Sequence, residues 1–175
     1  APIQINYLGY PGTLGANFID YIIADDVVIP PEQRQYYSEN VIYLPHSYQV
    51  NDITRKISAR LLSRAAFGLP EQGFVFCCFN NNYKISPQEF DIWMRLLDRV
   101  NSSVLWLLQS NRWAKMNLRK AATKRGINPE RLIFANQVNQ DEHLARQRLA
   151  DLFLDTFNVN AHTTARDDLW ADLPV

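Results

Sequence analysis

Short apolar runs recur through the second half of this chain: Phe74–Phe79 (FVFCCF), Ser103–Leu108 (SVLWLL), Arg131–Phe134 (RLIF) and Leu152–Leu154 (LFL). A continuous apolar run of that length reads as a strand covered on both faces, which is the signature of a parallel sheet. Parallel neighbours cannot be joined by a tight turn; each pair needs a crossover long enough to hold a helix. The pattern from Ser58 onward therefore predicts an α/β fold, a doubly wound parallel sheet flanked by helices and built from strand–helix units with right-handed crossovers.

The stretches between the runs carry the signals of those helices. Ser86-Pro87-Gln88-Glu89 offers a capping hydroxyl, a proline at the first helical position and a glutamate three residues after the cap, and Phe90, Trp93, Met94 and Leu97 follow at helical spacing. A second helix is expected over Arg112–Arg125, with Trp113, Met116 and Leu118 partly buried and Gly126 past its end. Asn139-Gln-Asp-Glu142 opens a third, with capping chemistry at its start and His143 and Arg146 on one face. A fourth begins at Thr163 or Thr164 and includes Asp167, Leu169 and Trp170.

The first fifty residues read differently. Gln4–Leu8, Tyr21–Ala24 and Val41–Leu44 are strand-like, the first two set around the turn Gly9-Tyr-Pro-Gly12-Thr-Leu-Gly15, and His46–Arg55 is polar and irregular. The expected division is residues 1–56, the end of one α/β half with its connector, and residues 57–175, most of a second half. The two termini are expected to be those of a fragment, because one begins on a strand without lead-in and the other stops as a helix gives way to a further strand.

Function should lie where strands end. Phe74–Phe79 gives way to Asn80-Asn-Asn-Tyr-Lys84, and Leu152–Leu154 leads on to the polar turn Ala161-His-Thr-Thr164. In a parallel sheet these ends share one edge, so the Lys84 ammonium and the N–H groups at Thr163 and Thr164 would converge on an anion, and two such groups suit a diphosphate. Lys84 is the first catalytic candidate: negative charge grows on a departing diphosphate, and a fixed cation stabilises that transition state more than the ground state. Thr163 and Thr164 either bind phosphate or cap the helix, and His162 either reaches the anion or caps and packs. Arg146 either faces the same edge or pairs with Glu142, and Asp167 either complements the helix dipole or holds ribose hydroxyls.

Other chemistries are set aside. Lys plus Arg equals Asp plus Glu at 18 each, which gives no electrostatic footprint for nucleic acid or an anionic membrane. No apolar run approaches membrane-spanning length, and no signal peptide is visible. Cys77 and Cys78 are adjacent on a strand, point to opposite faces and read as buried thiols of a reducing compartment. Gly9, Gly12 and Gly15 lack the tight pair of a dinucleotide fingerprint, and three dispersed histidines make no metal site.

Taken together, Leu8-Gly-Tyr-Pro-Gly-Thr13, Asp20-Tyr-Ile-Ile23, Tyr43-Leu-Pro-His46, Phe79-Asn80 with Tyr83-Lys84, Ser103–Leu108, Glu142-His143, Leu149-Ala-Asp151 and His162-Thr-Thr164 with Leu169-Trp170 resemble the catalytic region of the protein O-GlcNAc transferases. The resemblance covers essentially the whole chain. It implies two Rossmann-like halves of the GT-B type clasping UDP-N-acetylglucosamine, a cytoplasmic enzyme with protein Ser/Thr acceptors, and N-terminal tetratricopeptide repeats in the parent chain. It implies no metal or cofactor. Lys84 would contact the diphosphate, and His143 and Arg146 would lie around the uracil and diphosphate. His162, Thr163 and Thr164 would bind sugar and phosphates, Asp167 the ribose, and the Gly12-Thr13 loop the acceptor or sugar.

The sequence departs from the family at Asn81, where glutamine is common, at Gln140, where lysine is common, and at Ala165, where glycine is common. Asn81 keeps an amide at a substrate-binding position but shortens its reach. The family's upstream active-site histidines and the segment after Val175 lie outside this sequence, so the segment alone is expected to be inactive. Two other readings stay open: a protein O-fucosyltransferase using GDP-fucose, and an inactive nucleotide-binding or interaction module.

Overall fold

The computed structural model describes every residue from Ala1 to Val175. The chain divides into two compact units, Ala1–Thr54 and Arg55–Val175.

In the N-terminal unit, β1 (Ile5–Asn6), β2 (Tyr21–Ala24) and β3 (Asn40–Tyr43) form a parallel sheet in the order β1-β2-β3. The strand expected over Gln4–Leu8 is cut short because Leu8 adopts a left-handed φ of 64° and Gly9 N donates back to Tyr7 O at 2.9 Å. The parallel pairing makes the following segment a crossover between β1 and β2. Only Ile22, Ala24 and Ile29 are buried apolar residues of this sheet's core. Polar anchors do the rest: the buried Asp25 accepts from Val28 N at 2.8 Å and Tyr48 N at 2.7 Å.

The C-terminal unit follows the strand–helix alternation that its apolar runs predict. Its elements are β4 (Val75–Cys78), α1 (Pro87–Arg99), β5 (Val104–Leu108), α2 (Arg112–Lys124), β6 (Leu132–Ala135), α3 (Gln140–Gln147), β7 (Leu152–Phe153) and α4 (Thr163–Trp170). All four strands are parallel, in the order β6-β5-β4-β7. Gly73 sits just before β4 with φ of 118°, and a Cβ there would come within 2.2 Å of Ser102 O, so this entry to the sheet requires glycine.

The core is continuous across the sheet. Val75, Cys77, Cys78, Leu105, Trp106, Leu107 and Leu132 are buried, and Phe90, Trp93, Met94 and Leu97 of α1 cover one face as their spacing predicts. Phe79 meets Trp106 edge-on at 5.0 Å between ring centroids. Removing a core aromatic of this kind costs about 3–5 kcal/mol. Cys77 and Cys78 are both free and buried, and burial first of all pushes the Cys78 thiol up to about 12.

Helix α1 has the full capping box: Ser86 Oγ accepts from Glu89 N at 3.4 Å, and Ser86 N donates to Glu89 Oε2 at 2.6 Å. Helix α2 departs from expectation. Trp113 is 57% exposed and Met116 51%, because the helix turns Leu118, Ala121 and Ala122 toward the core instead. The Arg112 guanidinium lies over the Trp113 ring at 4.5 Å. In α3, Asn139 holds the capping position but makes no side-chain cap bond.

Candidate functional site

The strand order reverses at β4. From β4 the chain steps outward to β5 and β6, then returns to place β7 on β4's other side. In an open parallel sheet such a reversal leaves a crevice beyond the carboxyl ends of the two strands, because their following loops diverge to opposite sides. The loops that leave this point are Phe79–Ser86, after β4, and Leu154–His162, after β7. These are the two loops that carry the candidates chosen from sequence.

Lys84 closes a short turn, Asn82–Lys84, whose start is Asn81. Its Nζ donates to Asn160 O at 3.2 Å. A charge from the loop after β4 thus touches the loop after β7, two residues ahead of His162. Asn81 is exposed beside it, and its carbonyl accepts Lys84 N at 3.0 Å.

Helix α4 starts at Thr163 with His162 as its capping residue, and the His162 side chain makes no cap bond. Arg166 N is bonded to His162 O at 3.1 Å. The amides ahead of Arg166, including those of Thr163 and Thr164, stand at the positive end of the helix dipole. His162 and Thr163 are exposed and Thr164 half-buried.

The loop ahead of α4 is cross-linked by side-chain hydrogen bonds. Asp155 Oδ1 accepts from Thr156 N at 2.7 Å, Ala161 N at 2.7 Å and Asn80 Nδ2 at 3.2 Å, while Oδ2 accepts from Asn160 Nδ2 at 3.1 Å. Thr156 Oγ1 donates to Val159 O at 2.7 Å and accepts from Asn80 Nδ2 at 3.0 Å. Asp155, Thr156 and Asn80 were not among the site residues chosen from sequence. An Asp directly after a strand, followed by Asn158 and Asn160, is the turn chemistry that could have exposed them.

On α3, His143 and Arg146 do share one face. Arg146 Nε and Nη2 approach His143 Nδ1 at 3.1 and 2.7 Å, and Nη1 donates to Asn136 O at 2.5 Å. The surface pair Arg146–Glu142 does not form: Glu142 pairs with Arg60 at 3.3 Å, and Arg146 is only 1% exposed, set against the Phe79 ring at 5.1 Å. Burial in that apolar setting lowers its pKa to about 10. Burial, and next the Arg146 guanidinium, push His143 down to about 4. With Nδ1 accepting from a permanent donor, the ring is neutral and carries its proton on Nε2.

Asp167 is buried and ion-paired with Arg55, whose guanidinium also reaches Gln140 once that amide is oriented to accept from it at 2.6 Å. Arg166 lies 3.5 Å from the same carboxylate oxygen. Arg55 is separated from Asp167 by 112 positions, so no local pattern could have revealed it.

Gly12 and Thr13 belong to the N-terminal unit. Thr13 Oγ1 donates to Glu39 Oε2 at 2.7 Å, and Leu14 N donates to Glu39 Oε1 at 2.7 Å, so a buried glutamate pins the loop. A Cβ at Gly12 would meet the Tyr10 ring at 2.5 Å. No group of three or more His, Cys, Asp or Glu is placed to hold a metal ion. No helix is long and apolar enough to cross a membrane.

A parallel sheet flanked by helices, with a lysine and a helix N-terminus beside its β4–β7 reversal, is the α/β architecture of a GT-B-type catalytic region. The family model for glycosyl transferase family 41 matches residues 1–62 and 53–175, and the chain belongs to that family. It is 42% identical over 180 residues to a probable UDP-N-acetylglucosamine–peptide N-acetylglucosaminyltransferase SEC of Arabidopsis thaliana, covering all of this chain and 18% of that protein. A UDP-N-acetylglucosamine–peptide N-acetylglucosaminyltransferase of Caenorhabditis elegans is 27% identical over 286 residues, across all of this chain and 25% of that protein. Among solved structures, a mutant Thermobaculum terrenum O-GlcNAc transferase matches with a TM-score of 0.82 at 27% identity, over all of this chain and 33% of that one. The chain thus spans about a fifth to a quarter of the length of these two curated relatives.

Proposed function

We propose that this chain supplies the donor-binding half of an enzyme that transfers N-acetylglucosamine from UDP-N-acetylglucosamine to serine and threonine hydroxyls of proteins. The observation that carries the reading is the contact of Lys84 Nζ with Asn160 O at the β4–β7 crevice, which sets a cation beside the N-terminus of α4. The relatives named for this donor and for peptide acceptors support the same reaction.

The acceptor hydroxyl oxygen attacks the anomeric carbon with inversion and releases its proton to solvent, and the bond from that carbon to the diphosphate oxygen breaks with its electron pair going to UDP. Charge accumulates on the leaving phosphate. The first amides of α4 are fixed before the reaction and stabilise this charge without reorganising, and Lys84 adds its charge by turning from Asn160 O to the phosphate. No cofactor is called on, because these groups supply the positive field. His162, Thr163 and Thr164 line the sugar and phosphates. His143, neutral with an Nε2 proton, serves the base as a ring and single donor, and Arg146 fixes that tautomer from behind. Asp167 serves the ribose, Asn81 flanks the diphosphate, and Gly12 and Thr13 are the substrate residues of the N-terminal unit.

The parent protein is proposed to be cytoplasmic, in keeping with two free buried thiols, and to recruit acceptors through N-terminal helical repeats. In the full-length protein, Lys84→Ala is expected to lower turnover by about a hundredfold or more, the scale of losing one preorganised charge donor, with UDP affinity falling less than tenfold. Equal turnover would defeat the reading. UDP should compete with the donor where GDP does not; stronger competition by GDP would favour fucosyl transfer instead.

A further inference from the structure

Glu89 is a glutamate at the third position of a helix, where its ordinary task is to complete a capping box. Oε2 does this, accepting Ser86 N at 2.6 Å. A capping glutamate is normally at the surface, yet Glu89 is 1% exposed. Its second oxygen, Oε1, accepts from Phe157 N and from Asn158 N, the latter at 3.3 Å. These are loop amides 68 and 69 positions away, in the segment that leads to His162.

We propose that Glu89 is a positioning residue for the reaction: it latches the loop ahead of α4 to the start of α1 and so fixes the spacing between Lys84 and His162–Thr164. This rests on the reading of the crevice as the donor site. The chain from Lys84 to the latch is short, since Ile85 and Ser86 alone separate the lysine from the capped helix. The opposite loop is held at one point by Asn80, through Asp155 and Thr156, and at another by Lys84 itself, through Asn160 O. The lysine contact must loosen when Lys84 turns to a diphosphate, and Glu89 remains to hold Phe157 and Asn158 in place. Burial favours the neutral acid, but the N–H donors from Ser86, Phe157 and Asn158 outweigh it and hold the carboxyl below its ordinary range. The latch is therefore ionised wherever the enzyme works.

Glu89→Gln separates the two tasks. A glutamine amide can turn its oxygen to Ser86 N and keep the cap, which then sets its NH2 group against the amides of Phe157 and Asn158. In the full-length protein, that variant is expected to melt a few degrees below the wild type, to raise hydrogen exchange at Phe157 and Asn158 at least tenfold with β5 unchanged, and to lower kcat/KM for the donor about tenfold. Ser86→Ala, which weakens the cap alone, should lower the melting temperature while leaving turnover and loop exchange intact. Unchanged exchange at Phe157 and Asn158 in Glu89→Gln overturns the proposal, and so does raised exchange with unchanged kcat/KM. If Lys84→Ala leaves turnover intact, the reading of the crevice is what fails, and the role of Glu89 in positioning for the reaction falls with it.

Discussion

Glu89 and Asp168 are both acids sealed away from solvent in the C-terminal unit, and they end in opposite states. Around Glu89, and around the nearby Asp155, every carboxylate oxygen faces backbone or side-chain N–H groups. Asp168, inside α4, has no hydrogen-bond partner for either oxygen, and on the neighbouring α3 neither Oε1 nor Nε2 of Gln147 has one. Burial, then the charges of Asp167 and Asp155, push Asp168 up to about 8. Depth alone does not decide whether a buried acid keeps its charge; the supply of donors does. Here the donors are concentrated at the sheet edge, where loop amides are plentiful.

Asp155→Ala is the harshest way to break the contrast. It strands the amides of Thr156 and Ala161 and frees Asn80 and Asn160, at an expected cost of about 2–4 kcal/mol in chemical denaturation and with loss of UDP binding. A melt unchanged within a degree would mean that the loop does not depend on its carboxylate. Asp168→Leu acts in the other direction, replacing a buried acid whose oxygens have no hydrogen-bond partner. Its folded pKa lies above its ordinary value of 3.8, so its contribution to stability is complete below 3.8 and is lost as pH rises to about 8. The leucine variant should therefore gain about 1–3 kcal/mol over the wild type at pH 9 and much less at pH 4. Equal gains at both values would show that Asp168 is not neutral when folded.

Arg146→Met sharpens the comparison with the smallest shift. His143 has a folded pKa near 4, below its ordinary 6.5, so its contribution is present above 6.5 and is lost as pH falls toward 4. Removing the guanidinium takes away the second cause and leaves burial, so an NMR titration should move the ring upward by about one unit. No movement would assign the whole shift to burial.

The same contrast explains what the sequence disclosed. Phe74–Phe79 and Ser103–Leu108 are buried on both faces, so their apolar runs report the sheet directly, and Ser86-Pro87 marks α1 through a cap that depends on adjacent residues alone. Lys84 and His162–Thr164 were reachable because a parallel sheet gathers its strand ends. Glu89 and Arg55 were missed as site residues because the partners that matter lie far along the chain, Arg55 and Asp167 being 112 positions apart, whereas Asp155 bonds amides within six positions and its turn chemistry was legible. Trp113 and Met116 misled for the converse reason, since apolar character at helical spacing does not say which of two stripes faces inward. In the N-terminal unit, Asp25 and Glu39 act through loop amides and so leave little mark in hydropathy.

The return of β7 to the flank of β4 also orders events in time. Asn80 and Thr156, which tie the two sides of the crevice together, stand 76 positions apart. Contacts of such separation carry a large loop-closure cost and form late. As the polypeptide leaves the ribosome, β4, β5 and β6 can assemble a sheet from near neighbours while the β4–β7 crevice does not yet exist. On the proposed function, affinity for a sugar nucleotide would arise only at this docking step, and its appearance during synthesis would test that reading.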